Sequence, residues 1–284
     1  MQKLSRREVF HELRRAIEFY QQEKFTQAFN LLSKISKHWY HPHLETKILP
    51  LKMNCLLQVG NLEAARDYIE EMTTRYPTKP LYIHEAARYY HKTGDYDRAN
   101  RYYLRTICLA PDRIDYALAY SHFLRERHAP EKSISVLIRC LRENRKRKPT
   151  MPLLLLYQEL GLIYYQKKFY LRALILFQHC SNSWKDFSYR DLLADCYLQR
   201  RRYKECLVTI EEHLLQWGEN DADALYIKAK ALAALERRDE AIRCLYQCQK
   251  IWGELVVTGS DLAHLYCLVQ DGSLRKIPHV TLLF

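Results

Sequence analysis

The chain has 284 residues and carries 45 lysines and arginines against 33 acidic residues, for a formal net charge of +12. Seven glycines in that length form no Gly-rich phosphate loop and no dinucleotide fingerprint, and neither an HExxH run nor a glycine-flanked nucleophilic serine occurs. With no apolar run of about 20 residues there is no membrane span, so the expectation is a non-catalytic protein without a bound cofactor.

In chain order, the amino-terminal MQKLSRREVFHELRR is charged throughout and lacks the apolar stretch of a secretory signal. A first helix pair is expected over 9–42, with Ala16, Phe25 and Ala28. Phe10, Leu13 and Ile17 recur there at helical spacing on one side, either as a dimer surface or covering one another in a local cap. Segments 46–79 and 80–113 are the clearest. Gly60, Leu62, Ala65 and Pro77 return as Gly94, Tyr96, Ala99 and Pro111, each displaced by 34 residues.

In the second copy Ala87 and Ala99 mark where two antiparallel helices cross, since only a methyl-sized side chain lets backbones approach so closely. Tyr90, Tyr96 and Tyr103 are expected to fill the space beside the crossing. Gly94-Asp95 supplies the reversal and Ala110-Pro111 the stop. Pro50 lies inside the first helix of 46–79, which is expected to start late or to kink, and His41 and His43 flank a proline in what reads as a linker.

Further copies are 114–147 (Ser121, Leu124, Ser133, Cys140), 154–187 (Leu160-Gly161, Tyr164, Tyr170, Ala173, Phe177, Cys180), 187–220 (Ala194, Tyr197, Tyr203, Cys206) and 222–255 (Ala229, Leu232, Ala241, Leu245). The junctions Tyr40 to Thr46 and Arg147 to Leu154 are stretched. The remainder, 256–284, reads as a capping helix over about 259–271 with Ser260 as its N-cap, then an apolar tail. That tail, Val280 to Phe284, either folds back on the last repeat or serves as a short docking peptide or dimer contact.

A fixed period of this length marks a helical-repeat chain. The pattern resembles the tetratricopeptide repeat, a 34-residue helix–turn–helix with small residues at its eighth and twentieth positions. The resemblance spans residues 1–255 as about seven repeats. It implies an all-α, right-handed superhelical solenoid of antiparallel helix pairs whose usual work is binding. In this family the first helix of each repeat lines a concave groove. The corresponding positions here are Lys47, Asn54, His84, Arg88, His91, Lys92, His122 and Arg125, then Gln158, Tyr165, Asp191, Asp195, Asp223, Tyr226 and Lys230. With Asp115 and Glu126 as acidic exceptions, the amino-terminal half of the groove is expected to be basic and the other half mixed to acidic. A protein or peptide partner with an acidic segment fits that lining. Solubility of an open groove explains the same charges. Glu85 stands where the family's carboxylate-binding members place asparagine, which argues against a co-chaperone for heat-shock termini.

The family includes subunits of large assemblies such as the anaphase-promoting complex, so a scaffold or adaptor role in a protein complex is the first expectation. Dimerisation through the first repeat is a separate one. The alternative is a basic RNA-binding protein, since RENRKRK at 142–148 and QRRRYK at 199–204 are strongly cationic. The run 145–148 reads first as a solvated linker, with a nuclear import signal and a phosphate patch as the alternatives.

Cys140, Cys180 and Cys248 share one repeat position and Cys206 takes that of an alanine, so they read as small buried hydrophobes in a reducing cytoplasmic or nuclear setting. Cys244, Cys248, His264 and Cys267 could in principle hold zinc, but their spacing matches no familiar finger.

Overall fold

The computed structural model describes residues 6–38, 42–146, 150–184, 187–218 and 220–252. The expected capping helix, the tail, His264 and Cys267 lie outside the described residues, as do Arg147 and Lys148 of the basic run. Among the described residues every regular element is α-helical. No helix there is long and apolar enough to cross a membrane.

The chain divides into two compact units, residues 1–145 and 146–284. The first holds α1 (Arg6–Gln21), α2 (Phe25–His38), α3 (Pro42–Val59), α4 (Leu62–Arg75), α5 (Pro80–Lys92), α6 (Tyr96–Leu109), α7 (Ile114–Glu126) and α8 (Pro130–Asn144). The second holds α9 (Met151–Gln166), α10 (Tyr170–Ser183), α11 (Arg190–Gln199), α12 (Tyr203–Trp217), α13 (Ala222–Ala234) and α14 (Arg238–Trp252). Within each unit every helix packs on its chain neighbour, and first helices of successive pairs also touch, α3 on α5 and α11 on α13.

Two sequence features build every pair, and a third serves three of the helices. The first is a small residue at the crossing: Ala28, Ala65, Ala99, Ser133, Ala173, Cys206 and Ala241 occupy the twentieth repeat position, and each is fully buried. Opposite them stand Ala16, Ala87, Ser121, Ala194 and Ala229, also buried, and Met53 as the large exception. Gly161 completes that column for a steric reason. A Cβ there would lie 2.6 Å from the Phe177 ring, which is itself wholly buried. In the fourth pair both crossing residues are serines, and their hydroxyls bond one another at 2.7 Å.

The second feature is the turn. Glu23, Gly60, Gly94, His128, Lys168, Arg201 and Glu236 take up the same repeat position, and all have φ between 54° and 82°. The following amide then reaches back five residues: Lys24 N–H donates to the Phe19 carbonyl, Asn61 to Leu56, Ala129 to Leu124, Phe169 to Tyr164, Arg202 to Tyr197 and Arg237 to Leu232. This closure requires a left-handed residue just past the helix. Glycine adopts it freely and the five other side chains do so against a steric cost.

The third feature is capping: the Asn61, Asp95 and Asp221 side chains accept from the amides of Ala64, Arg98 and Ala224, starting α4, α6 and α13.

Several expectations are corrected. Helix α3 begins at Pro42 and runs through Pro50, so the helix starts early, and the stretch read as a linker around Pro42 is helical. Tyr96 does not fill the crossing. It is 42% exposed and carries the Arg127 guanidinium 4.4 Å from its ring centre, whereas Tyr90 and Tyr103 are buried. Leu13 belongs to the core formed with Val9, Leu32 and Ile48, leaving only Phe10 and Ile17 of that trio at the surface. The cysteines at the two small-residue positions are buried as expected. Burial pushes the Cys180, Cys206 and Cys248 thiols up to about 12.

Candidate functional site

First helices carry the groove-lining positions because the second helix of each pair covers their opposite side. In the first unit these positions converge on a depression of about 560 Å³ lined by Tyr20, Asn54, Leu57, Gln58, Arg88, His91, Lys92 and Tyr103. Asn54 and Arg88 are one period apart, and the guanidinium donates to the Asn54 Oδ1 at 3.1 Å. On the same helix Arg88 Nη1 donates to both carboxylate oxygens of Glu85, at 3.1 and 3.2 Å. The Glu85 side chain is only 5% exposed, so it fixes the guanidinium from below. Two acceptors hold one face of Arg88, and a guanidinium has five N–H donors in a planar fork. Arg88 lines the depression together with the exposed Lys92.

His91 closes the far side. Its Nε2 lies 2.6 Å from Glu126, whose other carboxylate oxygen is 3.1 Å from His122 Nδ1. Tyr103, its phenol pushed up to about 12 by burial, reaches 3.5 Å from His91 Nδ1. His84 packs 4.6 Å from the Tyr116 ring and 6.0 Å from Tyr103, and its Nδ1 is 3.7 Å from Glu85. Lys47 is exposed on α3, and Arg125 is half-buried on α7. Glu85 and Glu126 thus offset much of the positive charge expected in this half.

The second unit presents a different lining. Tyr165 donates to Asp195 Oδ2 at 2.6 Å across α9 and α11. Burial, with that bond second, pushes its phenol far above its ordinary range. Asp195 also accepts from Gln199 at 3.2 Å. Lys230 sits 4.0 Å above the Tyr226 ring, and Asp223 is exposed. Gln158 Oε1, Asp191 Oδ1 and, in the first unit, His84 Nε2 are buried and lack a partner. All three side chains stand at the fifth position of their repeats. Burial raises the Asp191 carboxyl, with Asp221 adding to the rise while His213 and backbone amides oppose it.

Of the lining residues expected from the sequence, the depression brings together Asn54, Arg88, His91 and Lys92, and it adds three that sequence reasoning passed over, Tyr20, Leu57 and Gln58. These occupy the same groove positions and carry no charge to draw attention. Tyr103 comes from a second helix, which a projection of first helices does not include. Among the described residues no three His, Cys, Asp or Glu side chains come together in an arrangement that could hold a metal ion.

Paired helices of this period, with a small residue at each crossing and a left-handed turn residue, define the tetratricopeptide-repeat fold. No protein-family model and no curated protein matches the sequence. Solved structures do match in fold. YrrB, a tetratricopeptide-repeat protein with an unusual peptide-binding site, superposes with a TM-score of 0.59 at 14% identity, over 70% of this chain and 97% of its own. PilF of Pseudomonas aeruginosa gives 0.55 at 17% identity, over 75% and 93%. The signal-transduction ATPase PH0952 of Pyrococcus horikoshii, which has a tetratricopeptide-repeat sensor, gives 0.62 at 16%, over 93% of this chain and 43% of its own.

Proposed function

We propose that the protein is a non-catalytic scaffold that holds an extended segment of a protein partner against its first helices, and that the depression of the first unit receives an acidic side chain. The observation that carries this reading is the fixed guanidinium of Arg88. Glu85 and Asn54 hold it in place before any partner arrives, so its free edge meets a carboxylate without new ordering cost. A bidentate carboxylate–guanidinium pair is among the stronger polar contacts. Lys92 beside it adds long-range attraction, and Leu57 and the Tyr20 ring offer apolar contact to the rest of the segment. YrrB, of similar fold, is described as having a peptide-binding site. A role as one subunit of a larger assembly fits a helical-repeat array of this kind.

The test is an array of random ten-residue peptides probed with the labelled protein. Enrichment of Asp and Glu among bound peptides, lost in Lys92→Glu and in Arg88→Gln, supports the reading. Lys92 is exposed, so its replacement leaves the fold intact and separates a binding effect from unfolding. A bound set with no acidic bias, or one unchanged in both variants, refutes it.

A further inference from the structure

The edge of the second unit where each pair reverses carries a charge pattern that the groove does not use. The α9–α10 turn presents Lys168 and the exposed Phe169, with Arg172 in the first turn of α10. One pair further on, the α11–α12 turn presents Arg200 and Arg201, with Lys204 at the start of α12, all exposed. The acidic residue within this stretch, Glu205, is taken by Arg202 through two bonds of 2.9 and 3.0 Å. At the next turn the sign is lost, because Glu236, Asp239 and Glu240 stand beside Arg237 and Arg238.

Backbone geometry marks the same two positions. Lys168 and Arg201 are the left-handed turn residues, at φ 62° and 58°. Glycine serves this position at Gly60 and Gly94, and a side chain there costs roughly 1–2 kcal/mol. Strain retained under a long cation at consecutive turns points to a use for the side chain. Glu236 shows that strain alone has no preferred sign; the cations flanking Lys168 and Arg201 supply it. Aromatic surface lies among these charges. Phe169 is 48% exposed, and the Arg172 guanidinium lies 5.6 Å from its ring centre. Cations tracking a backbone beside an exposed ring are the two elements of single-strand recognition.

We infer that this edge of the second unit binds single-stranded nucleic acid, with phosphates on Lys168, Arg200, Arg201 and Lys204 and a base stacked on Phe169. The site is separate from the groove and does not depend on the scaffold reading. Contact with about four phosphates gives a salt slope near −3, since each contributes roughly −0.7 for a single strand.

The experiment is fluorescence anisotropy of a labelled twelve-residue oligouridylate with the full chain, titrated at several NaCl concentrations. The double variant Lys168→Gly/Arg201→Gly removes both cations and relieves both turns. It should keep or raise thermal stability while weakening binding at least tenfold and lowering the slope by about 1.4, for two lost phosphate contacts. Phe169→Ala should weaken binding with the slope unchanged. Oligouridylate that fails to bind at low salt overturns the inference, as does a double variant that binds like the parent. Anionic phosphatidylserine vesicles form the second arm. Vesicle binding with the same charge dependence, and no oligouridylate binding, assigns the edge to lipid and overturns it equally.

Discussion

Replacing Glu23 by glycine should stabilise the first unit by about 1 kcal/mol. Glu23 closes the α1–α2 turn at φ 59°, a conformation that costs an L-residue roughly 1–2 kcal/mol. Glycine removes that cost, and its larger entropy loss on folding, about 0.5–1 kcal/mol, returns part of it. The Glu23 side chain is exposed, so little contact is forfeited. The reciprocal change is Gly94→Ala, at φ 82° with nothing within 4 Å of the added Cβ. Absence of a clash makes it a pure backbone test, and it should destabilise by about 1 kcal/mol or somewhat more. Urea unfolding followed by circular dichroism reads both. With a slope near 2 kcal/mol per molar, 1 kcal/mol moves the midpoint by about 0.5 M. Glu23→Ala keeps the Cβ and should leave the midpoint in place. A neutral Gly94→Ala, or a Glu23→Gly variant that unfolds earlier than its alanine counterpart, would refute the argument from the turns.

Gly161→Ala should destabilise the second unit by about 1–2 kcal/mol by calorimetry, because overpacking against the buried Phe177 ring outweighs alanine's helix propensity; a gain in stability would contradict that geometry. Ser121→Ala alone should cost about 1–3 kcal/mol, for it leaves the buried Ser133 hydroxyl unpaired, while Ser121→Ala/Ser133→Ala should recover most of the loss, as a double-mutant cycle in urea would show. Burial raises the Asp191 carboxyl, so the folded chain binds that proton more tightly than the unfolded one. Stability should therefore fall as pH rises from the ordinary aspartate range near 4 through the raised value, and Asp191→Asn should flatten that fall and melt higher at pH 7. A difference in melting temperature between the two proteins that stays constant from pH 4 to 7 would contradict it.

What the sequence made legible was whatever repeats at a fixed period. The small crossing residues, Gly60 and Gly94, and the boundaries near Pro77 and Pro111 are all local signals in register. Where a local rule competes with packing, the reading failed. Pro50 suggested a late start or a kink; the late start is overturned, since α3 begins at Pro42 and carries Ile48, Leu49 and Met53 into the core on either side of Pro50. Tyr96 matched an aromatic-rich pattern but begins α6, where the Arg127 guanidinium covers it from outside. Four residues of the depression, Asn54, Arg88, His91 and Lys92, could be picked out from the sequence, but the pairing among them and their neighbours could not. Glu85 and His84 are neighbours in sequence, and only the fold shows that one is consumed by Arg88 while the other keeps a bare ring nitrogen. The left-handed turns at Glu23, His128, Lys168, Arg201 and Glu236 carry no compositional signal. They became visible only through the backbone.

The buried thiols give this chain a set of internal clocks. Cys55 lies in the second helix pair, Cys140 in the fourth, Cys180 in the fifth, Cys196 and Cys206 in the sixth, and Cys244 and Cys248 in the seventh, and all are buried. Burial drives Cys55 up to about 11 and Cys196 up to about 12, so the reactive thiolate is scarce until the surrounding pair opens. Cys108 is exposed and marks time zero. A cysteine-selective reagent and peptide mass mapping would then read the order in which neighbouring pairs part, on the native chain and without introducing a label.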